Sequence, residues 1–133
     1  MRKSIVLNKR IEDIEKIERF VETAGKEMEL EPELLYKMNL ILEEAFTNIV
    51  FYGFEGRNDA DIKINLSSDN GRILLEIIDN GKAFNPLEVQ SDAHSVLEDD
   101  TKIGGLGVLI IKKLSKELKY KRIDEKNHLI ITL

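Results

Sequence analysis

Glu44 and Asn48 stand four residues apart in EEAFTNIVFYGF, residues 43–54, a run whose other positions are largely apolar. In a helix that spacing puts both side chains on one face, and Tyr52 continues the line one turn further on. Glu43 points about 100° away from Glu44. A carboxylate and an amide so placed can hold an attacking hydroxyl or water, and can give an oxygen to a magnesium ion that also takes phosphate oxygens. Taken alone, the spacing also describes a solvated helix edge.

Two further stretches carry chemistry. In IIDNGKAF, residues 77–84, Asp79 sits where an apolar strand ends. An ionised carboxylate only accepts hydrogen bonds, so beside a flat aromatic ligand it can take one from an exocyclic amine. Gly81 lets the backbone come close with no side chain in the way, although Asp-Asn-Gly is equally a good turn. In KIGGLGVLIIKKL, residues 102–114, Gly104, Gly105 and Gly107 open a helix, where free N–H groups and the helix dipole favour phosphate. The stretch is neither a P-loop, which ends in Gly-Lys-Ser/Thr, nor a dinucleotide fingerprint following directly on a strand. A helix start has no need of three glycines, each of which costs stability. Lys102 is placed to meet a terminal phosphate or to stand solvated. His94 and His128, the only histidines, lack the company of a metal site and receive no role.

The elements that must position these residues follow from periodicity. Residues 4–7 read as a first strand. Ile11, Ile14, Ile17, Val21, Ala24 and Met28 recur at helical steps, with Gly25 a weak point near the end of that helix. Pro32 and Glu33 suit the start of a second helix. Its broad apolar face runs from Leu34 and Leu35 through Met38, Ile41, Leu42, Ala45, Phe46 and Ile49 to Val50, with Gly53 as the stop. Ile62, Ile64 and Leu66 then alternate with polar residues, and Ser-Asp-Asn-Gly turns the chain into a second strand at 72–78. Residues 80–103 show no sustained period, as in a functional lid or a disordered loop. Leu106, Leu109, Ile110, Leu114 and Leu118 mark a third helix, and the chain closes on a hairpin turning at 124–127. The order β-α-α-β-β-loop-α-β-β implies an α+β fold, with helices layered on one face of a mixed, mostly antiparallel sheet.

Composition narrows the classes. The 133 residues suit one domain, with 42% apolar and 34% charged residues as in an ordinary globular protein. No apolar run approaches the roughly 20 residues of a membrane span, and the basic start lacks the core of a signal peptide, so the expected location is cytoplasmic, with no membrane partner. A net charge of −5 argues against direct nucleic-acid binding. Without cysteine there is neither a disulfide framework nor a thiolate metal site.

Glu44-x-x-x-Asn48, then Asp79-Asn-Gly81, then Gly104-Gly-Leu-Gly107, with a lid-sized gap before the last, resembles the nucleotide site of the GHKL superfamily of ATPases and kinases. Within it the three stretches look most like the stand-alone anti-sigma-factor serine kinases, and the likeness runs over nearly the whole chain. It implies a histidine-kinase-like, Bergerat-type two-layer α/β sandwich over residues 1–133, with an ATP lid at about 87–103. It implies ATP and Mg2+ as cofactors, Glu44 as general base and Asn48 as metal ligand. Asp79 would bind the adenine amine, Gly81 would line the base, and Gly104, Gly105 and Gly107 would wrap the phosphates, with Phe84, Leu106 and Val108 also counted among the nucleotide-binding residues. Tyr52, where relatives often have histidine, resembles the tyrosine that stacks on adenine in histidine kinases. Two other departures are Ala83, in place of a second glycine, and Ile130, which leaves Thr132 as the only hydroxyl of the last strand for the family's adenine-side threonine. The implied partners are a small antagonist protein phosphorylated on serine, a sigma factor, and a second copy of the chain as a homodimer. A non-catalytic ATP-binding regulatory module is the alternative.

Overall fold

The computed structural model describes residues 1–8, 10–54, 56, 58–88 and 105–133. Strand β1, Arg2–Leu7, leads through a 3-10 turn at Ile11–Asp13 into helix α1, Ile14–Glu27. Helix α2, Pro32–Asn48, runs on into a π-helical turn at Ile49–Gly53. Strands β2, Ile62–Asp69, and β3, Arg72–Asp79, form a hairpin followed by a short 3-10 turn at Pro86–Glu88. Helix α3, Gly105–Leu114, then precedes the hairpin of β4, Glu117–Ile123, and β5, Lys126–Thr132.

The five strands lie in the order β1-β2-β3-β5-β4 and pair antiparallel at every step. Period-two alternation buries Ile62, Ile64 and Leu66 of β2 and Ile73, Leu75 and Ile77 of β3 in one core with the helices. Against them α2 packs Met38, Ile41, Leu42, Ala45 and Phe46. Each large apolar side chain buried in this way contributes roughly 2 kcal/mol. The opposite sheet face mixes apolar Val6, Leu74, Ile78 and Ile130 with polar residues. There Ser4 Oγ donates to Asn65 Oδ1 at 2.7 Å, Asn65 Nδ2 donates to Glu76 Oε1 at 3.2 Å, and His128 Nδ1 lies 3.4 Å from Glu76 Oε2.

The sequence reading needs correction at four places. Gly25 is no weak point: a Cβ there would stand 2.6 Å from Leu35 Cδ2, so the missing side chain is what lets α1 close on α2. The helix stops later, where Glu29 at φ 53° lets the Leu30 N–H reach the Gly25 carbonyl at 2.9 Å. Ile11 is exposed rather than core. Leu118 belongs to β4, because α3 ends at Leu114, and the buried face of that helix is Val108, Leu109 and Ile111, with Leu106 half exposed. Asn127 lies inside β5, since the closing turn has only two residues, Asp124 and Glu125.

Both hairpin turns need two residues in the left-handed region, which matches the twist of the strands. Asn70 and Gly71 supply it at φ 51° and 78°, Asp124 and Glu125 at 52° and 62°. A glutamate there suffers the steric cost that glycine avoids. Glu125→Gly should therefore raise the free energy of unfolding by about 1 kcal/mol, measurable by urea denaturation. An unchanged or lower value would show that the Glu125 side chain compensates elsewhere.

Candidate functional site

The C-terminal end of α2 is seated on the segment that follows β3. The Lys82 N–H donates to the Gly53 carbonyl at 2.9 Å, and a Cβ on Gly81 would stand 2.8 Å from that same carbonyl oxygen. No L side chain fits there, so the close backbone approach expected of Gly81 is directed at the helix end. Ala83, one position past Lys82, is exposed and takes no space from this contact. Gly53 itself has ordinary geometry and serves as the acceptor.

Between these elements lies a cleft with about 760 Å³ of empty space, open solvent included. One wall is Ala45 and Asn48 of α2 with Ile49 and Tyr52 of the π-helical turn that follows it. The sheet side brings Ile77, Asp79 and Leu129, the loop after β3 brings Phe84 and Pro86, and α3 brings Val108 and Ile111. A mostly apolar slot with one carboxylate at its floor suits a flat ring that carries an amine.

Asp79 is 5% exposed. Its Oδ1 accepts the Gly81 N–H at 2.9 Å and Asn127 Nδ2 at 3.0 Å, across the register position where β3 and β5 pair Asp79 with Asn127. Burial pushes its carboxyl above the ordinary carboxylate value, and those two hydrogen bonds, with the charges of Arg122 and His128, pull part of the way back. Strand β4 braces the same segment, Arg122 donating to the Gly81 carbonyl at 2.8 Å.

The two adjacent glutamates separate as helix geometry requires. A Cβ on Gly107 would lie 2.7 Å from Glu44 Oε2 and 3.3 Å from Asn48 Nδ2, so the start of α3 rests directly on the Glu44–Asn48 face. Gly105 and Gly107 are buried there, whereas Leu106 points outward. Glu44 lies beside the cleft rather than among its lining residues. Glu43 faces a groove shared with Glu18, Glu22 and Asn39. Burial, a hydrogen bond with Glu18, and repulsion from Glu18 and Glu44 raise its pKa above the ordinary range.

Thr132 is not near the floor of the cleft. It pairs with Leu74 and Glu117 at the far end of β5, five residues from Asn127, roughly 17 Å along the strand. The positions beside Asp79 belong to Asn127 and Leu129. Asn127 and Tyr120 were not singled out in the sequence. Gly104, Lys102, His94 and residues 89–103 of the expected lid lie outside the described residues.

A hard cation would find oxygen donors at Asn48 and Glu44, too few for a cage of protein ligands, and would complete its shell from phosphate and water, as magnesium commonly does. Among the described residues no group of three or more His, Cys, Asp or Glu side chains could hold a metal by itself. No helix among them is long and apolar enough to cross a membrane.

Ionising a buried carboxyl costs stability. Below the ordinary value of 3.8 the group is protonated in both folded and unfolded chains. As pH rises from there through the raised value of the folded state, stability is lost. Asp79→Asn keeps an acceptor for Gly81 and Asn127 and removes the charge. The variant should therefore melt at a higher temperature than the native protein near neutral pH, the gap closing as pH falls towards 3.8. Thermal melts over that range check this, and a native protein as stable as the variant at neutral pH contradicts it.

The profile of the histidine kinase-like ATPase domain matches residues 7–133. The serine/threonine-protein kinase BtrW of Bordetella bronchiseptica is 32% identical over 99 residues, covering 74% of this chain and 70% of BtrW. The serine-protein kinase RsbW of Listeria monocytogenes is 28% identical over 96 residues, covering 65% of this chain and 58% of RsbW, so this chain spans little more than half of that relative. The crystal structure of the RsbU and RsbW domains of a Mycobacterium tuberculosis protein superposes with a TM-score of 0.69 over 99% of this chain and 32% of that one, at 13% identity, a likeness of fold. With its helix layer, antiparallel sheet and cleft between them, the chain belongs to the histidine kinase-like ATPase domain family.

Proposed function

We propose that the protein is an ATP- and magnesium-dependent serine/threonine protein kinase of the anti-sigma-factor type. It phosphorylates a serine on a small antagonist protein and sequesters a sigma factor, acting in the cytoplasm as one domain that is able to pair with a second copy. The observation that carries the reading is the meeting of Gly107 with Glu44 and Asn48. It sets a carboxylate, an amide oxygen and a helix start side by side, next to a cleft that ends on Asp79. The serine-protein kinase names of the relatives support the activity, and a further relative, 27% identical over 85 residues, is an anti-sigma F factor of Clostridium botulinum.

Each residue has a definite task in this reading. Asp79 accepts the adenine amine, while Tyr52, Phe84 and Val108 flank the ring. Gly105 and Gly107, with Gly104 before them, present backbone to the phosphates at the start of α3. Asn48 offers its amide oxygen to the cation, and Glu44 takes the hydroxyl proton of the acceptor serine. ATP with its magnesium ion, when bound, supplies the phosphoryl group and neutralises its charge. Phosphoryl transfer asks a protein mainly for positioning and electrostatic support, which these groups provide.

Glu44→Ala should abolish phosphate transfer to a co-encoded antagonist while leaving ATP affinity within a few-fold of native. Radiolabel transfer and calorimetric titration measure the two effects separately. Transfer by the variant at the native rate rejects Glu44 as the base. Tight ATP binding by the native protein without transfer to any such partner favours a non-catalytic regulatory module instead.

A further inference from the structure

The carboxamide of Asn127 is saturated. Its Nδ2 donates to Asp79 Oδ1 at 3.0 Å and to the Lys82 carbonyl at 2.8 Å. Its Oδ1 accepts the Tyr120 hydroxyl and, at 3.3 Å, the Phe84 N–H. Two donors and two acceptor sites are all that an amide has, so its partners fix which end faces Asp79. Both hydrogen bonds described for Asp79 end on Oδ1, from Asn127 and from the Gly81 N–H. A ligand is left with Oδ2.

We propose that Asn127, locked by Tyr120, is a positioning residue that makes the cleft select a purine bearing an exocyclic amine over one bearing a carbonyl at the same carbon. This rests on the adenine reading of the site and adds its specificity determinant. An N–H donated to Oδ1 favours the carboxylate, which accepts from an amine and repels a carbonyl oxygen. A protonated Asp79 would donate, and would pair with the carbonyl instead. The choice of base is thus a protonation state held by an amide.

The rest of the site pulls in both directions. Burial drives Asp79 towards its protonated form, and Asn127 comes first among the groups that oppose it, ahead of the Gly81 N–H, Arg122 on β4 and His128 on β5. The other titratable groups facing the cleft are Tyr52 at the end of α2, Lys82 after β3 and Tyr120 on β4.

Inosine diphosphate differs from ADP in carrying a carbonyl in place of the amine and, with it, a hydrogen on the adjacent ring nitrogen. The test is calorimetric titration of both nucleotides, with magnesium, into the native chain, Asn127→Asp and Tyr120→Phe, between about pH 5 and 8. Asn127→Asp keeps an oxygen for Tyr120 and Phe84 but sets a second carboxyl beside Asp79, so the pair shares a proton. The native protein should prefer ADP by roughly ten- to hundredfold at neutral pH, the preference narrowing as pH falls. Asn127→Asp should cut that preference roughly tenfold and move the narrowing to higher pH. Tyr120→Phe should shift both in the same direction by less, and it decides the matter if Asn127→Asp does not fold. Variants that keep the native ratio and pH profile, or lose both nucleotides by one common factor, overturn the role of Asn127 alone. A native protein that binds neither nucleotide removes the adenine reading and this inference with it.

Discussion

The site depends on one backbone contact, the Gly53 carbonyl against the Gly81 backbone with no side chain between them. It joins the turn that ends α2 to the end of a central strand, and so fixes the distance between two walls of the cleft. Everything the helix carries on its polar side is placed by that seat. The apolar stripe of α2 is committed to the sheet through Met38, Ile41, Leu42, Ala45 and Phe46. The remaining face has to meet α3, and α3 meets it through Gly107, where a methyl group would press on Glu44. The two glycine contacts play the same part at opposite ends of the cleft, each removing a side chain so that a polar group can be approached closely.

A buried carboxylate between these contacts needs support from several directions. Asp79 receives it from its own turn through the Gly81 N–H, from β5 through Asn127 and from the charge of Arg122 on β4. The edge strand therefore has two functions. Its Tyr120 and Arg122 hold Asn127 and the Gly81 carbonyl, while its outer side completes the sheet. Charge is also sorted around α2, where Glu43 is occupied with Glu18 in a groove on the α1 side and Glu44 meets the start of α3 beside the cleft.

The fold was legible because period-two and period-3.6 patterns are local. The order of elements, the Asn-Gly turn and the apolar face of α2 all follow from residues within one turn or one strand of each other. So does the placing of Glu44, Asn48, Tyr52 and Asp79, since helix spacing and a strand end are local facts too. Asn127 was hidden for the converse reason. In DEKN any of four polar residues can make a turn, and only the pairing of β5 with β3, 48 residues away, assigns Asn127 to Asp79. The role of Thr132 stayed open for the same reason, because its place on the strand depends on register. Gly25 was misjudged because its reason is Leu35, a contact between helices that no periodicity records.

The walls of the cleft come from residues 45–53, 77–86, 108–111 and 120–129. The contacts between these four segments are non-local, so its loop-closure entropy is met only when α2, α3 and strands β3, β4 and β5 have come together. A fragment that lacks any of the four segments lacks a wall of the cavity. The pocket belongs to the assembled chain as a whole, so retention of a ligand by it reports on global rather than local order.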